Sequence, residues 1–546
     1  MSKTHIYARN LGANWIGIGA NLAVTFFMSP FIVHNLGDVR YGVWTLLTSL
    51  TGYLGLVDIG VRGGTGRYIN YYLGRGEDEE VSNVVNTSLL FYAIVSMMVF
   101  AAAALLAVFF GDIFPKIQPE YTHEAQLVLL LLGLNVWVGF FSATFTQLLT
   151  AAERFDLQMC SDVTVLVLRT AATIWVLTAG WGLVPLAMVQ VGSGLLACVL
   201  ITAMARWKGS RVHIHPRHCH WASFREVFSF GLWSFLGSAS AQLGLYASSA
   251  IIGMLIGAAE ITLYTIGASL IGYAAAFLSN VTGVMAPDIL KAGGRGDQDH
   301  LHWLMGKGTR ATMFLAVPVL VGFMTLGGEF ISVWMGRGYA VSATVLLILT
   351  VARFGALANE PVGTTLLALG HVRLCAAMTA VQSFAALAIS VVLILLTDLG
   401  IYGVAIGTAV PMIATHNIWL FVAGYRRVDG SLWAAARATV LRWGAGSMLF
   451  AVPCLLISHL IPHGGWLLFW LKVGIASAIY VPIGLFVVLR RDEGMRIVKE
   501  AKAVLASIGR YLASRRRTRA GYPYPTAEGS PESVAIDGSR SDTVLP

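Results

Sequence analysis

Two arginines and an aspartate stand among glycines in the segment 58–67, where an apolar stretch gives way to charged residues. Asp58, Arg62 and Arg67 could together bind an anion, because a planar guanidinium group pairs with two phosphate oxygens at once. The segment lacks the GxxxxGK[ST] spacing and the preceding strand of a nucleotide-binding phosphate loop. Two interpretations remain open. The glycines could allow close helix packing while the arginines extend to the membrane surface, or the arginines could form a basic rim that recruits an anionic lipid headgroup.

Further charged side chains fall inside apolar stretches that are long enough to cross a membrane. Asp162 and Arg169 are seven residues apart, as are Arg353 and Glu360, which places each pair on one helical face two turns apart. Because ionisable groups are costly in lipid, we expect them to face a polar interior. They could be ligands for a charged substrate or ion pairs between helices. Asp58 and Lys472 are further candidates for the same two roles, and Lys472, six residues into its apolar stretch, could instead extend to the membrane surface.

Uncharged polar residues mark the leading apolar stretch of each half of the chain. Asn14 and Asn21 share one helical face, and Gln242 lies in the corresponding stretch of the second half. They could form hydrogen bonds between helices or line a hydrated cavity. The segment His213–His220 holds four histidines and a cysteine, which could bind a metal ion. Nothing in the pattern fixes a coordination geometry, so we expect a basic loop at the membrane surface and predict no metal site.

The composition is that of an integral membrane protein. Of the 546 residues, 56% are hydrophobic and 12% are charged, and the mean hydropathy is +0.71. Soluble domains carry about twice that charged fraction. The net charge of +9 does not indicate nucleic-acid binding, because the basic residues lie between apolar runs and in the tail, as in loops held against anionic lipid. No catalytic constellation occurs, and the five scattered cysteines form no metal motif, so we predict neither an enzyme nor a cofactor.

Apolar runs between charge clusters predict an all-α protein with about fourteen membrane-spanning helices. If successive loops lie on opposite sides, 31 of the 37 Lys and Arg residues fall on the side of the N-terminus, and only Arg40, Lys116 and Arg337 fall on the other. Because cytoplasmic loops carry an excess of Lys and Arg, both termini are predicted to be cytoplasmic. The predicted spans are 11–32, 42–61, 88–110, 127–149, 160–178, 183–204, 228–256, 261–285, 311–326, 341–357, 374–396, 401–422, 445–461 and 466–489.

A residue pattern near the start of the chain returns 220 positions later. Six identities in nineteen positions, among them Gly37 with Gly257 and Tyr53 with Tyr273, exceed chance. Six spans separate the copies, so we predict two parallel six-helix repeats with a substrate site between them. The predicted divisions are an N-lobe (1–205, spans 1–6), a basic cytoplasmic linker (206–226), a C-lobe (227–425, spans 7–12), two extra C-terminal helices (426–489), an amphipathic cytoplasmic helix (490–520) and a disordered tail (521–546).

The first part of the chain carries three further motifs: LGDVRYGVW at 36–44, VDIG at 57–60 and RY at 67–68. With them, about the first 80 residues resemble the polysaccharide transporters of the O-antigen flippase type, in the multidrug/oligosaccharidyl-lipid/polysaccharide exporter superfamily. The fourteen spans and the parallel repeat resemble the same superfamily. The resemblance implies a V-shaped, two-lobed bundle that alternates between inward and outward openings. It also implies translocation of an undecaprenyl-pyrophosphate-linked oligosaccharide across the bacterial inner membrane.

Under this resemblance the charged residues acquire expected roles. Arg169 and Arg353 would bind the pyrophosphate, and two turns away Asp162 and Glu360 would neutralise them when no cargo is bound. The expected partners are the lipid-linked oligosaccharide, membrane lipids and glycan polymerase or export proteins. A drug or cation antiporter of the same fold, or a membrane glycan polymerase or ligase, are the alternatives. The expected substrate-binding residues are Arg169, Arg353, Arg62, Arg67, Asn14, Asn21 and Gln242, with Asp58, Asp162 and Glu360 as charge partners.

Overall fold

The secondary structure is helical, without strands, throughout the residues that the structure describes. The chain forms two compact units, Met1–Leu489 and Arg490–Pro546. In the second unit, residues 491–496 are helical, and the predicted helix and tail beyond residue 499 lie outside the described residues. The computed structural model describes residues 3–207, 212, 214–215, 217, 219, 239–240, 242–244, 246–428, 431–496 and 499.

Eight helices with short connections make up residues 3–207 of the larger unit. Their ends follow local sequence. Gly76, in the left-handed conformation at φ 73°, ends the third helix with its N–H donating to the carbonyl oxygen of Leu73. Asp78, Glu79 and Glu80 then open the fourth, where negative charge is favourable. The helices are α1 (Lys3–Leu36), α2 (Asp38–Leu54), α3 (Leu56–Arg75), α4 (Asp78–Val108), α5 (Phe110–Ile113), α6 (Pro119–Ala151), α7 (Phe155–Thr178) and α8 (Leu183–Trp207).

Twelve more helices occupy the described part of the chain between residues 242 and 483. A π-helical turn, Ile413–Trp419, joins the sixteenth to the seventeenth, and another, Gly484–Val488, follows the last. The helices are α9 (Gln242–Leu255), α10 (Ala258–Gly283), α11 (Ala286–Arg295), α12 (Gln298–Trp334), α13 (Ala340–Ala358), α14 (Glu360–Ala368), α15 (Val372–Leu396), α16 (Ile401–Met412), α17 (Leu420–Arg427), α18 (Leu432–Ala438), α19 (Val440–Leu460) and α20 (Trp466–Ile483).

Eleven helical segments of the described chain are long and apolar enough to cross a membrane. They correspond to the third to sixth and eighth to fourteenth predicted spans, which confirms a multi-pass helical membrane protein. The predicted spans 11–32, 42–61 and 228–256 are not among the eleven. The count of fourteen therefore stays a prediction, as do the two parallel repeats.

Two predicted spans differ from the observed helices. Span 42–61 is interrupted at Gly55, where α2 ends and α3 begins. The apolar pattern continues through this glycine and hides the break, although glycine is a weak helix former. Span 311–326 was predicted too short, because Arg310 and Glu329 end the apolar run in the sequence. Both side chains are buried, so the helix continues through them as the 37-residue α12.

The two segments that carry the internal sequence match, in α2 and α10, pack directly against each other. A Cβ atom at Gly42 would lie 1.8 Å from the carbonyl oxygen of Ala258, so only glycine permits this approach. The hydroxyl of Thr262 donates to the backbone carbonyl oxygen of Asp38 at 2.6 Å. The phenol of Tyr339 donates to the side-chain carboxylate of Asp38 at 2.7 Å. We call this end of the bundle the Asp38 end.

An aromatic cluster also joins the two halves of the chain. Phe26 of α1 stacks on Phe330 and Trp334 of α12, and the indole N–H of Trp334 donates to the carbonyl oxygen of Phe26 at 3.2 Å. Such ring pairs contribute about 0.5–1.5 kcal/mol each beyond their burial. By contrast, α3 packs on α4 and α6 of its own half, and α11 packs on α12 and α14. The described contacts between the halves therefore include those of α1 and α2 with α10 and α12, and the phenol of Tyr53 on α2 also donates to the carbonyl oxygen of Leu243 on α9.

Candidate functional site

A cavity of about 600 Å³ lies beside the glycine-rich part of α3. Its lining includes the guanidinium-bearing side chains of Arg62 and Arg67, the carboxylate of Asp58, and the amides of Asn70 and Gln147. Four of these five residues come from α3 and the fifth from α6. We call this the α3 cavity. It presents two cationic groups, one anionic group and two amides to whatever enters it.

Asp58 is held in place by two partners. The guanidinium of Arg62, one turn further along α3, forms a salt bridge with one carboxylate oxygen at 2.5 Å. The buried phenol of Tyr92 on α4 donates to the other oxygen at 2.7 Å. Arg62 itself is about half exposed, at 46% of its side-chain surface. Asp58 therefore orients Arg62 at the cavity wall rather than acting as a free carboxylate.

The glycines of this segment serve different purposes. A Cβ at Gly66 would lie 2.4 Å from the side-chain oxygen of Gln147, so glycine allows α6 to approach α3. A Cβ at Gly63 would meet nothing within 4 Å, so packing does not explain that glycine, which lines the cavity. Close helix packing therefore accounts for Gly66, whereas Gly63 is available to contact a ligand.

A second cavity, of about 210 Å³, surrounds Arg169. Its wall is formed mostly by α1, α2, α7 and α8 of the first half, and Tyr273 of α10 contributes from the second half. The other polar lining groups include Ser29, Tyr41 and Gln190. We call this the Arg169 cavity. It combines one arginine with hydroxyl, phenol and amide groups.

Arg169 is half-buried near the middle of α7 and has no counter-charge among the described residues. It lies roughly 21 Å along α7 from Phe155 and about 14 Å from Thr178, at 1.5 Å per residue. It forms no hydrogen bond or salt bridge with any other residue that the structure describes. Asp162, its predicted partner, is exposed and also has no such contact with a described residue. No carboxylate is among the described residues that line the cavity. The guanidinium N–H groups of Arg169 are therefore available to bind an anion.

Arg353 and Glu360 lie on consecutive helices, because α13 ends at Ala358 and α14 begins at Glu360. Backbone hydrogen bonds continue across the junction, where the N–H of Asn359 donates to the carbonyl oxygen of Gly355, and Glu360 attracts Arg353 electrostatically. The role of Glu360 as a charge partner of Arg353 stays a prediction. Glu360 also accepts hydrogen bonds from the hydroxyls of Ser279 and Thr282 on α10, the latter at 2.7 Å. Arg353 forms no salt bridge with a described residue, and it is not among the lining residues of the Arg169 cavity.

Two of the remaining predicted site residues have described side chains, and neither lines one of these cavities. Asn21 is exposed on α1 and Gln242 is half-buried on α9, and neither belongs to the lining of either cavity. The side chain of Asn14 and half of the His213–His220 segment lie outside the described residues. In the described chain no group of three or more His, Cys, Asp or Glu residues could hold a metal ion. The assignments of individual substrate-binding residues stay predictions.

Sequence reasoning missed a buried ion pair near the Asp38 end. The ammonium of Lys472 on α20 lies 2.7 Å from a carboxylate oxygen of Glu329 on α12, and the two side chains are 0% and 3% exposed. Of the roles left open for Lys472, the structure shows an ion pair between helices and not an extension to the membrane surface. The ring of His463 approaches the same oxygen at 3.3 Å. Each member of the buried pair is a single charge in an apolar stretch, which was the available signal.

Comparison with known sequences relates this chain to membrane transporters. The model of a family described as polysaccharide biosynthesis protein matches residues 38–344. The membrane protein EpsK of Bacillus subtilis (strain 168), named as uncharacterized, is 21% identical over 433 residues, which cover 77% of this chain and 84% of EpsK. A Shigella flexneri protein named as an O-antigen transporter is 21% identical over 398 residues, covering 72% of this chain and 92% of that protein.

Solved structures share the fold. The lipid II flippase MurJ, in an inward closed conformation, superposes with a TM-score of 0.66 at 14% identity and covers 87% of this chain and 97% of its own. An inward-facing multidrug resistance transporter of the MATE family, in the MOP superfamily, gives a TM-score of 0.64 at 17% identity, over 75% of this chain and 94% of its own. At these identities the likeness establishes the fold alone.

Proposed function

Because this chain belongs to the polysaccharide biosynthesis protein family, we propose that it is a flippase for an undecaprenyl-pyrophosphate-linked oligosaccharide in the bacterial inner membrane. The observation that carries the proposal is Arg169. This arginine is half-buried near the middle of α7, has no counter-charge among the described residues, and lies in a cavity lined by hydroxyl, phenol and amide groups. An intramembrane charge of this kind is costly unless a substrate or partner compensates it. A pyrophosphate supplies such compensation, because a guanidinium binds phosphate oxygens bidentately.

The charge of the Arg169 cavity favours an anionic cargo over an organic cation. A cation antiporter needs a carboxylate at its binding site, and the described lining of this cavity contains none. In the α3 cavity the one carboxylate, Asp58, is already engaged by Arg62 and Tyr92. The likeness to a MATE transporter supports the antiporter alternative only through the shared fold.

The α3 cavity is proposed as the point of cargo entry. The excess of Lys and Arg in alternate loops places the Arg75 end of α3 on the cytoplasmic side and the Asp38 end on the periplasmic side. Arg62 and Arg67 then stand towards the cytoplasmic leaflet, where the lipid-linked precursor is made. Contacts between the halves at the Asp38 end support a state that is closed towards the periplasm. In this scheme Arg353 is retained as a proposed second phosphate ligand that the cargo reaches later in the cycle.

The orientation can be measured independently of the cargo. Single cysteines placed at Lys116, Arg337 and His463 should react with an impermeant maleimide added to intact cells. A cysteine in the segment 206–225 should react only after the cells are permeabilised. Reaction of that segment in intact cells would contradict the orientation.

The proposal is tested by substituting Arg169 with lysine, which keeps the charge and removes the planar fork. The full chain is reconstituted in liposomes with an undecaprenyl-pyrophosphate-linked oligosaccharide labelled on the glycan, and flipping is measured as label that an impermeant quencher can reach. Because a hydrogen bond to a charged group contributes about 1.5–3 kcal/mol, Arg169→Lys should slow flipping roughly tenfold or more. Arg353→Lys should slow it similarly if both arginines bind the pyrophosphate.

Arg75→Lys is the matched control, because Arg75 is exposed at the end of α3, pairs with Glu77 and stacks on Tyr71. Its flipping rate should equal that of the wild type. If Arg169→Lys also flips at the wild-type rate, the arginine is structural and the proposed phosphate contact is wrong. If the wild type moves lipophilic cations but not the lipid-linked glycan, the antiporter alternative is correct.

A further inference from the structure

A third cavity, of about 790 Å³, opens near the Asp38 end and is separate from the two cavities described above. It lies between the end of α12, the start of α13 and the connection from α19 to α20. Its polar lining residues are Glu329, Ser332, Arg337 and His463, and Trp466 adds an indole that is 40% exposed. We call this the Glu329 cavity. Its volume lies within the range of about 300–1,000 Å³ that is usual for small-molecule sites.

The carboxylate of Glu329 is the fixed point of this cavity. One of its oxygens, Oε2, accepts from the ammonium of Lys472 at 2.7 Å and lies 3.3 Å from Nδ1 of His463. The other oxygen, Oε1, is buried and has no hydrogen-bond partner among the described residues. A buried acceptor without a donor costs free energy. The arrangement is explained if a ligand that bears hydroxyl groups supplies the missing donor.

The lining chemistry selects one class of ligand. A metal or organic cation is disfavoured, because Lys472 already neutralises Glu329. A small anion is disfavoured, because the carboxylate of Glu329 lies in the same wall as Arg337 and repels an anion. What remains is a lining that combines donors and acceptors with an exposed aromatic face. Such a lining matches a saccharide, whose hydroxyl groups both donate and accept while the apolar face of its ring packs on an indole.

We propose that the Glu329 cavity binds the glycan part of the cargo on the periplasmic side, an inference that rests on the proposed flippase function. The ring of one sugar packs on Trp466, and its hydroxyl groups bond to Glu329, Ser332 and Arg337. The cavity is a second glycan site, distinct from the pyrophosphate contacts at Arg169. No bond is made or broken there.

The test uses a local readout, because the same glycan also enters the central cavities. In the full chain in lipid nanodiscs, with the five native cysteines replaced, a single cysteine is introduced at Ala340, an exposed residue of the cavity wall. The probe is the water-soluble oligosaccharide released by mild acid from the host's own lipid-linked precursor. At millimolar concentration it should slow maleimide labelling at position 340 at least threefold. A control cysteine at Lys116, at the same end of the molecule, should label at an unchanged rate.

Substitutions then assign the protection to the cavity. Trp466→Leu should weaken the oligosaccharide's protection of position 340 roughly three- to tenfold. Trp433→Leu is the matched control, because that indole is 71% exposed on α18 and is not part of the cavity lining. Arg337→Gln, at an exposed position, provides a second test if Trp466→Leu does not fold. Arg169→Lys should flip the lipid-linked glycan slowly, whereas the oligosaccharide should protect position 340 in this variant as well as it does in the wild type.

Four results would overturn the proposal: no protection in the wild type, equal protection in Trp466→Leu, equal protection in Arg337→Gln, or equal protection by inorganic pyrophosphate. Each leaves the flipping assay untouched. Absence of flipping by the wild-type protein would instead overturn the flippase proposal on which this inference rests. The two failures are therefore separable, because protection is measured in nanodiscs and flipping in liposomes.

Discussion

Replacing Lys472 with methionine tests whether the buried ion pair holds the C-terminal helices to the rest of the bundle. The substitution keeps the length of the side chain and removes its charge. The carboxylate of Glu329 would then stay buried, with only the largely exposed His463 near one oxygen. Breaking a buried pair by removing one partner costs about 3–5 kcal/mol, because the other charge is left uncompensated.

The size of the effect on thermal unfolding follows from the size of the compact unit. Met1–Leu489 has an unfolding entropy of about 1 kcal/mol/K, at about 2.1 cal/mol/K per residue. A loss of 3–5 kcal/mol therefore lowers the midpoint of unfolding by roughly 3–5 °C. The assay is thermal unfolding of the purified full chain in detergent, followed by intrinsic tryptophan fluorescence.

Two comparisons make the measurement decisive. The double variant Lys472→Met with Glu329→Gln removes both charges and should recover most of the loss, since replacing a whole buried pair is often close to neutral. Lys307→Met is the matched control, because Lys307 is an exposed lysine of α12 that contacts only the ring of Trp303 in the described structure. It should shift the midpoint by less than about 1 °C. A Lys472→Met midpoint equal to that of the wild type, or a double variant as unstable as the single one, would refute the reasoning.

Three further predictions concern packing, the α3 cavity and the tail. Gly42→Ala should lower the midpoint of thermal unfolding by several degrees, because the new Cβ would lie 1.8 Å from a backbone oxygen of α10. Gly19→Ala is the control and should lower the midpoint less, because a Cβ there would meet nothing within 4 Å. Tyr92→Phe should cost about 1–2 kcal/mol, because it removes a donor from the mostly buried carboxylate of Asp58; denaturant titration measures it. Deleting residues 521–546 should leave the rate of glycan flipping in liposomes unchanged.

Each of these has an outcome that counts against it. A Gly42→Ala protein as stable as the wild type would mean that α2 and α10 separate without cost. A Tyr92→Phe protein with unchanged stability would show that Asp58 is satisfied by Arg62 alone. A truncated protein that inserts at normal levels but flips slowly would assign the tail a part in transport.

The sequence by itself determined the class of protein and most of its helices. Long apolar runs bounded by charges predict membrane spans because lipid solvates neither charge nor unpaired backbone. Eleven of the fourteen predicted spans coincide with helices that can cross a membrane. The motifs at 36–44 and 57–60 also led to the right family, whose model matches residues 38–344. These features are local and can be read from composition and spacing.

Only the tertiary structure decided which charged residues meet. Seven-residue spacing relates Asp162 to Arg169 on α7, yet these two side chains do not meet, because Asp162 is exposed and Arg169 lines a cavity. Conversely, Glu329 and Lys472 are 143 positions apart and form a buried pair at 2.7 Å. The sequence shows these two residues only as single charges in separate apolar stretches, and such charges resemble residues that extend to the surface. Whether a membrane charge is paired, unpaired or exposed depends on the neighbouring helix, and the spacing of residues along one helix does not specify that neighbour.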